Sequence, residues 1–235
     1  MPALIPDTPA VETAIIEFTN AFREKNKLGD VTPNAQLAAA ARAYAAYLAK
    51  SRVFSHTADG REAGDRVTSA GYDWCQVAEN LAMHLDSRGF EARDLAKKSV
   101  EGWINSQGHR ENLLAAGVTE IGVGVARAPD KDPKFISVQL FARPKSLQYE
   151  FQISNTSKAS VTYTFGGEQH EIEPKYAITH TACNPGTLTF DKAVTGGQSR
   201  TLAMRYEAAG GLVYTLKPDK ELGLKVDVSK LQKLD

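Results

Sequence analysis

A mixed α+β unit followed by a small all-β sandwich is the fold class that this sequence predicts. Three observations carry the prediction. Apolar residues recur at helical spacing through the first half, and the period changes to two at Ile121, Val123 and Val125. Beyond Arg143-Pro144-Lys145-Ser146 only short alternating runs remain, punctuated by glycine pairs. The boundary separates residues 1–145 from residues 146–235.

Residues 9–26 read as a helix, with Thr8 as cap, Pro9 in the first turn, and Ile15, Phe18 and Phe22 on one face. A second helix is expected to open at Thr32-Pro33 and to end near Ser51, with Leu37, Ala41, Tyr44 and Leu48 as its apolar stripe. A short helix from about Glu62 to Ala70 stops at Gly71, a residue suited to a left-handed terminus. The stretch from Tyr72 to Leu81 is too short and mixed to assign. Residues 91–107 form a further amphipathic helix, with Ala96, Val100 and Trp103 inward. Gly108 is expected to end it and His109 to start the next turn. Ile121–Val125 and Ile136–Leu140 alternate as two strands of a hairpin across the Pro129–Pro133 loop. In the second half, alternating runs begin at Tyr149, Val161, Leu202, Leu212 and Leu224, with breaks at Gly166-Gly167, Gly196-Gly197 and Gly210-Gly211.

Composition narrows the function. The 235 residues hold 28 basic and 28 acidic side chains, so no net field draws the chain to nucleic acid or to an anionic membrane. No apolar run approaches the roughly 20 residues that span a bilayer. Met1-Pro2-Ala3-Leu4 lacks the basic start and apolar core of a signal peptide, which leaves a cytoplasmic protein or an exported one whose signal has been removed. The two cysteines, Cys75 and Cys183, either form one bridge or stand as separate packed thiols.

Polar groups beside apolar runs point to a site. His56 follows Val53-Phe54-Ser55, Glu79-Asn80 precedes Leu81-Ala82, and His109 follows Trp103-Ile104. Burial is costly for such groups unless each finds a partner, and the economical solution is that they meet. A His/His/Glu pocket suits either a metal ion or acid–base chemistry. Gly122-Val123-Gly124 lies in a strand and lacks a third glycine, so it is no nucleotide loop. Trp103 reads as core, and His84, His170 and His180 as ordinary surface or hydrogen-bonded groups. Asn155-Thr156-Ser157 has the form of a glycosylation sequon.

Taken in order, several stretches of the first half resemble the CAP superfamily in its bacterial SCP-like branch. They are Phe54-Ser55-His56, Ala70-Gly71-Tyr72, Ala78-Glu79-Asn80-Leu81-Ala82, Gly102-Trp103 through Leu113-Leu114, Thr119-Glu120-Ile121-Gly122-Val123-Gly124 and Val138-Gln139-Leu140-Phe141-Ala142. The likeness runs from about Val11 to Pro144. It implies an α-β-α sandwich, export to an extracellular or periplasmic location, and a cleft lined by two histidines and two glutamates. By position the histidines are His56 and His109 and the first glutamate is Glu79. Ser106 stands where the eukaryotic pathogenesis-related members have the second glutamate. Glu101 is not a replacement, because two residues before Trp103 it faces another side of the helix.

Three functions follow as expectations. One is a divalent-ion site of His56, His109 and Glu79, with zinc favoured over calcium because two of the donors are nitrogen. Its bland counterpart is a purely structural hydrogen-bonded cluster. Another is hydrolysis, serine-type or metal-dependent, with Glu79, Ser106 and His109 as catalytic candidates, although nothing marks an oxyanion hole. The leading reading is non-catalytic binding of a small molecule, lipid or peptide in a cleft of His56, Glu79, Asn80, Ser106 and His109. In that reading the β-sandwich offers a surface for a protein or cell-surface partner, or carries an adhesive role of its own.

Overall fold

The computed structural model describes residues 3–190, 204–220 and 223–231. The chain divides into two compact units, Met1–Leu147 and Gln148–Asp235.

In the first unit, helix α1 (Thr8–Lys25) is capped by Asp7 rather than Thr8, the Asp7 carboxylate accepting from Ala10 N–H at 3.2 Å. A carboxylate is the stronger cap, and the shift leaves Pro9 in the first turn where its missing N–H costs nothing. Thr32–Pro33 does not open a helix. It forms a short strand, β1, parallel to Glu120–Ile121, and Asn34 caps helix α2 (Ala35–Ser51) by accepting from Gln36 and Leu37 N–H. Helix α3 (Ala63–Ser69) ends at Gly71, whose φ of 82° takes the left-handed turn.

The segment the sequence left unassigned is the longest strand of the unit, β2 (Trp74–Leu85). Helix α4 (Ala92–Ile104) then stops three residues earlier than expected. Ser106 takes an extended conformation (φ −106°, ψ 123°) and precedes a separate helix α5 (Gln107–Leu113), so Gly108 lies inside α5. Strands β3 (Glu120–Arg127) and β4 (Lys134–Pro144) pair antiparallel, and β4 pairs with β2, giving the sheet order β1-β3-β4-β2.

This sheet lies between two helical layers. One core joins α1, α4 and α5 to Ile121, Val123, Val125, Phe135 and Phe141. The other joins α2 and α3 to Leu81, Ile136, Val138 and Leu140. The period of two along each strand sends neighbouring residues to opposite cores. On β3 the α2 side is occupied by Gly122 and Gly124. A Cβ at Gly122 would fall 2.2 Å from the Leu37 carbonyl carbon, and one at Gly124 would fall 2.2 Å from Arg42 N. These glycines let the helix backbone rest directly on the strand, which is why the Gly-Val-Gly run sits there.

The second unit is a sandwich of two four-stranded sheets around Phe151, Ile153, Tyr163, Leu188, Phe190, Tyr214 and Leu216. One sheet has the order β10-β9-β6-β7, from β6 (Val161–Phe165), β7 (Glu168–Ile172), β9 (Thr187–Phe190) and β10 (Met204–Glu207). The other has the order β12-β11-β5-β8, from β5 (Tyr149–Asn155), β8 (Ala177–Ala182), β11 (Leu212–Asp219) and β12 (Gly223–Lys230). Gly166 and Gly167, both with positive φ, make the tight β6–β7 turn. Leu202 and Gly196-Gly197 lie outside the described residues. Asn155 is fully buried and its amide donates to Ala159 O and Ile172 O, so the sequon is a structural staple and not a surface acceptor. Neither Cys75 nor Cys183 is a free thiol.

Candidate functional site

The site forms where β2 passes between the α3 layer and α5. Because side chains alternate across a strand, adjacent Glu79 and Asn80 point into different cores, and they do different work. Glu79 faces α3. Its Oε2 accepts from Arg66 Nη2 at 2.7 Å and its Oε1 meets His56 Nδ1 at 2.8 Å. The Glu79 side chain is 4% exposed, that of Arg66 3% and that of His56 53%. A buried carboxylate thus lies between a buried guanidinium and an imidazole that reaches solvent.

Arg66 is the hub that sequence reasoning missed. Beyond Glu79 it donates to His56 O at 3.0 Å, to Asp59 Oδ1 at 2.9 Å and to Arg61 O at 2.7 Å. Its guanidinium stacks 3.5 Å above the Tyr44 ring. The Tyr44 hydroxyl in turn donates to Ser55 O and accepts from Ala58 N–H. The loop that carries His56 is therefore fixed from α2 and α3 at both ends. Only the burial of an arginine beside Val67 could have betrayed this role, and burial is not visible in the residue string.

Asn80 faces the opposite core and is fully buried, so it does not line the cleft surface as the sequence reading placed it. Its amide donates to His109 O at 3.2 Å and to Gln139 Oε1 at 3.0 Å, and its own oxygen accepts from Asn112 at 2.9 Å. Gln139 passes the chain on to Thr19 on α1. Asn112 also caps Glu79 O, and Trp103 Nε1 caps Leu81 O, closing the free edge of β2 with side chains from α4 and α5. The second end of α5 is held by Arg23, which donates to Leu113 O and Ala115 O. This buried network positions His109 without contributing to the surface around it.

His56 and His109 approach each other with ring centroids 6.4 Å apart and planes tilted by 42°. His109 Nδ1 bonds Ser106 Oγ at 3.0 Å, so the hydroxyl one turn back is used on the ring and makes no helix-cap bond. Partial burial, and then the nearby His56, hold the His109 pKa below the usual imidazole range, which keeps the ring neutral at neutral pH. Glu101 pairs at 3.8 Å with Lys97 on the exposed face of α4 and takes no part. A recess of about 420 Å³ backs onto the same hub, lined by Tyr44, Tyr47, Asp59, Arg61, Arg66 and the alanines of α2.

The donor set expected for a metal does not fit as three direct ligands. Both Glu79 oxygens are committed, and among the described residues no group of three or more His, Cys, Asp or Glu is disposed to hold an ion. Glu79 instead orients His56 from behind through Nδ1. Calcium would find no free carboxylate among these three residues. The serine-type arrangement is also incomplete, because Glu79 orients His56 and not His109.

The profile of the cysteine-rich secretory protein family, CAP, matches residues 16–141, more than half of the chain. The chain belongs to this family. Two Bacillus subtilis (strain 168) proteins share the CAP region. The "uncharacterized membrane protein YlbC" is 31% identical over 119 residues, covering 49% of this chain and 32% of its own length. The "uncharacterized protein YkwD" is 30% identical over 116 residues, covering 49% of this chain and 42% of its own length. The chain thus spans well under half the length of each of these relatives. Among solved structures, an outer surface protein from Borrelia burgdorferi aligns over 62% of this chain and all of its own, at 24% identity and a TM-score of 0.52. That likeness shows the fold, the α-β-α sandwich of the CAP unit. No described helix is long and apolar enough to cross a membrane.

Proposed function

We propose that the CAP unit binds a small molecule, lipid or peptide without chemical turnover, in the cleft between His56 and His109. One observation carries this reading: both oxygens of Glu79 are spoken for, by Arg66 and by His56. The carboxylate locks His56 in one orientation through Nδ1, leaves Nε2 for a ligand, and gives Ser106 and His109 no acidic partner. A pair of imidazoles, one of them held from behind by a buried carboxylate, is suited to recognition. The family description, cysteine-rich secretory protein, supports an exported chain, and the absence of free thiols among the described residues agrees with an oxidising compartment. The β-sandwich then serves as the surface for a second partner.

The approach of the two rings favours a companion reading, in which His56 and His109 lend their nitrogens to a divalent ion, zinc before calcium, as part of ligand capture. The ion would supply a Lewis-acidic contact for a ligand oxygen or nitrogen.

The test is an NMR titration of the full chain with zinc chloride, short-chain fatty acids and a set of short peptides, run alongside p-nitrophenyl acetate hydrolysis. Shifts clustered on His56, Ser106 and His109, with ester turnover no greater than that of Ser106→Ala, support the reading. Turnover abolished by Ser106→Ala overturns it.

A further inference from the structure

The second unit holds a histidine pair that the cleft does not use. Strands β7 and β8 are the end strands of their respective sheets. In register, His170 on β7 stands opposite Tyr163 on β6, and His180 on β8 stands opposite Phe151 on β5. Tyr163 and Phe151 are fully buried core residues, so both histidines face inward between the sheets. They meet edge to face with centroids 5.1 Å apart, one from each sheet.

Aromatic rings flank the half-buried pair. His180 stacks on Phe151 at 5.1 Å and abuts Phe165 at 5.4 Å, while His170 stacks on Tyr163 at 5.1 Å. The Tyr163 hydroxyl bonds His180 Nε2 at 2.7 Å. Burial pushes the Tyr163 phenol up to about 12, so its hydroxyl stays protonated and is able to donate to a neutral imidazole.

Few charged side chains lie on the strands around the pair. Strands β6, β8 and β9 carry no acidic or basic residue other than His180 itself. On β5, Glu150 is engaged with Thr181, a residue of the outer face. On β7, Glu171 alternates outward, and exposed Glu168 lies two residues before His170 on its side of the strand. Among the described residues the sole histidine in an ion pair is His56. Inward ionisable residues on end strands also discourage edge-to-edge association.

We propose that His170 and His180 form a pH-sensitive latch joining the two sheets of the sandwich, closed while the His180 imidazole is neutral and loosened when it takes up a proton. Burial, and then the neighbouring His170, lower the His180 pKa, which agrees with this geometry. The sign follows from linkage. As pH falls below the ordinary histidine range the unfolded or opened chain binds protons first, so the latch weakens from there down through the folded pKa. At higher pH its contribution is complete.

The experiment is an NMR pH titration of the imidazole signals in the full chain, with amide hydrogen exchange at pH 7.5 and pH 5.5 corrected for intrinsic rates. We expect His180 to titrate below the ordinary histidine value and to move upward in His170→Gln. Protection in β7 and β8 is expected to fall several-fold on acidification, and to fall less in the His170→Gln/His180→Gln double variant. A His180 that titrates at or above the ordinary value in the wild-type chain overturns the proposal, as does equal loss of protection in the wild type and a folded double variant. The wild-type titration decides even if the variants fail to fold.

Discussion

Arg66 and Glu79 meet at 2.7 Å with both side chains almost wholly removed from water. Removing one partner strands the other as a buried charge, which costs about 3–5 kcal/mol. Arg66→Met is expected to destabilise the CAP unit by that amount in urea unfolding. Trp74 and Trp103, the two tryptophans of the chain, both lie in this unit and report it by fluorescence. The Arg66→Met/Glu79→Leu double variant should regain part of the loss, because the stranded carboxylate is then gone as well. A double variant as unstable as the sum of the singles would contradict the pairing.

Asn80 makes three hydrogen bonds in full burial, and Ala in its place leaves Gln139, Asn112 and His109 O short of partners. Each unpaired buried group costs about 1–3 kcal/mol. Asn80→Ala is therefore expected to destabilise the unit and to shift the His109 imidazole signals, although Asn80 touches no part of the cleft surface. Unchanged His109 signals in a folded variant would refute the positioning role.

Gly122→Ala and Gly124→Ala place a methyl against the backbone of α2, where no flexible side chain can yield. Each is expected to cost about 1–3 kcal/mol or more. Gly102→Ala provides the control: it lies within α4, nothing stands within 4 Å of the added carbon, and the helix should gain about 0.5–1 kcal/mol. Chemical denaturation of the three variants checks the contrast.

His109 is kept neutral first by burial and then by His56. Its folded pKa is depressed, so the unfolded chain takes up the proton first as pH falls. The corresponding stability is complete above the ordinary histidine value and is lost from there down through the folded pKa. Tryptophan-monitored denaturation at pH 7.5 and pH 5.5 should show a larger loss for the wild type than for His109→Gln. An equal loss would place the pH dependence elsewhere.

Periodicity made most of the helices and the β3–β4 hairpin legible, because an amphipathic stripe or a strict alternation depends only on neighbours in the chain. It failed at β2, whose buried positions include Glu79 and Asn80 beside Leu81 and so break the apolar pattern. It failed again at β7 and β8, short strands in which His170 and His180 occupy inward positions that an apolar code reads as outward. Thr32-Pro33 carried a helix-start signal, yet pairing with Glu120–Ile121 overrode it. The two ends of the α4–α5 break were misjudged by a few residues because Ser106, not Gly108, supplies the turn.

The order of residues alone pointed to a meeting of His56, Glu79 and His109 and to a β-rich region after the CAP unit, since motif spacing and alternation are properties of the chain itself. Only the tertiary structure decided which histidine the carboxylate serves. That choice depends on Arg66, brought in from α3 to hold one oxygen of Glu79 while the pleat of β2 turns Asn80 to the other core. Hydrogen-bond partners separated by tens of residues are selected by packing, and packing is a property of the folded whole.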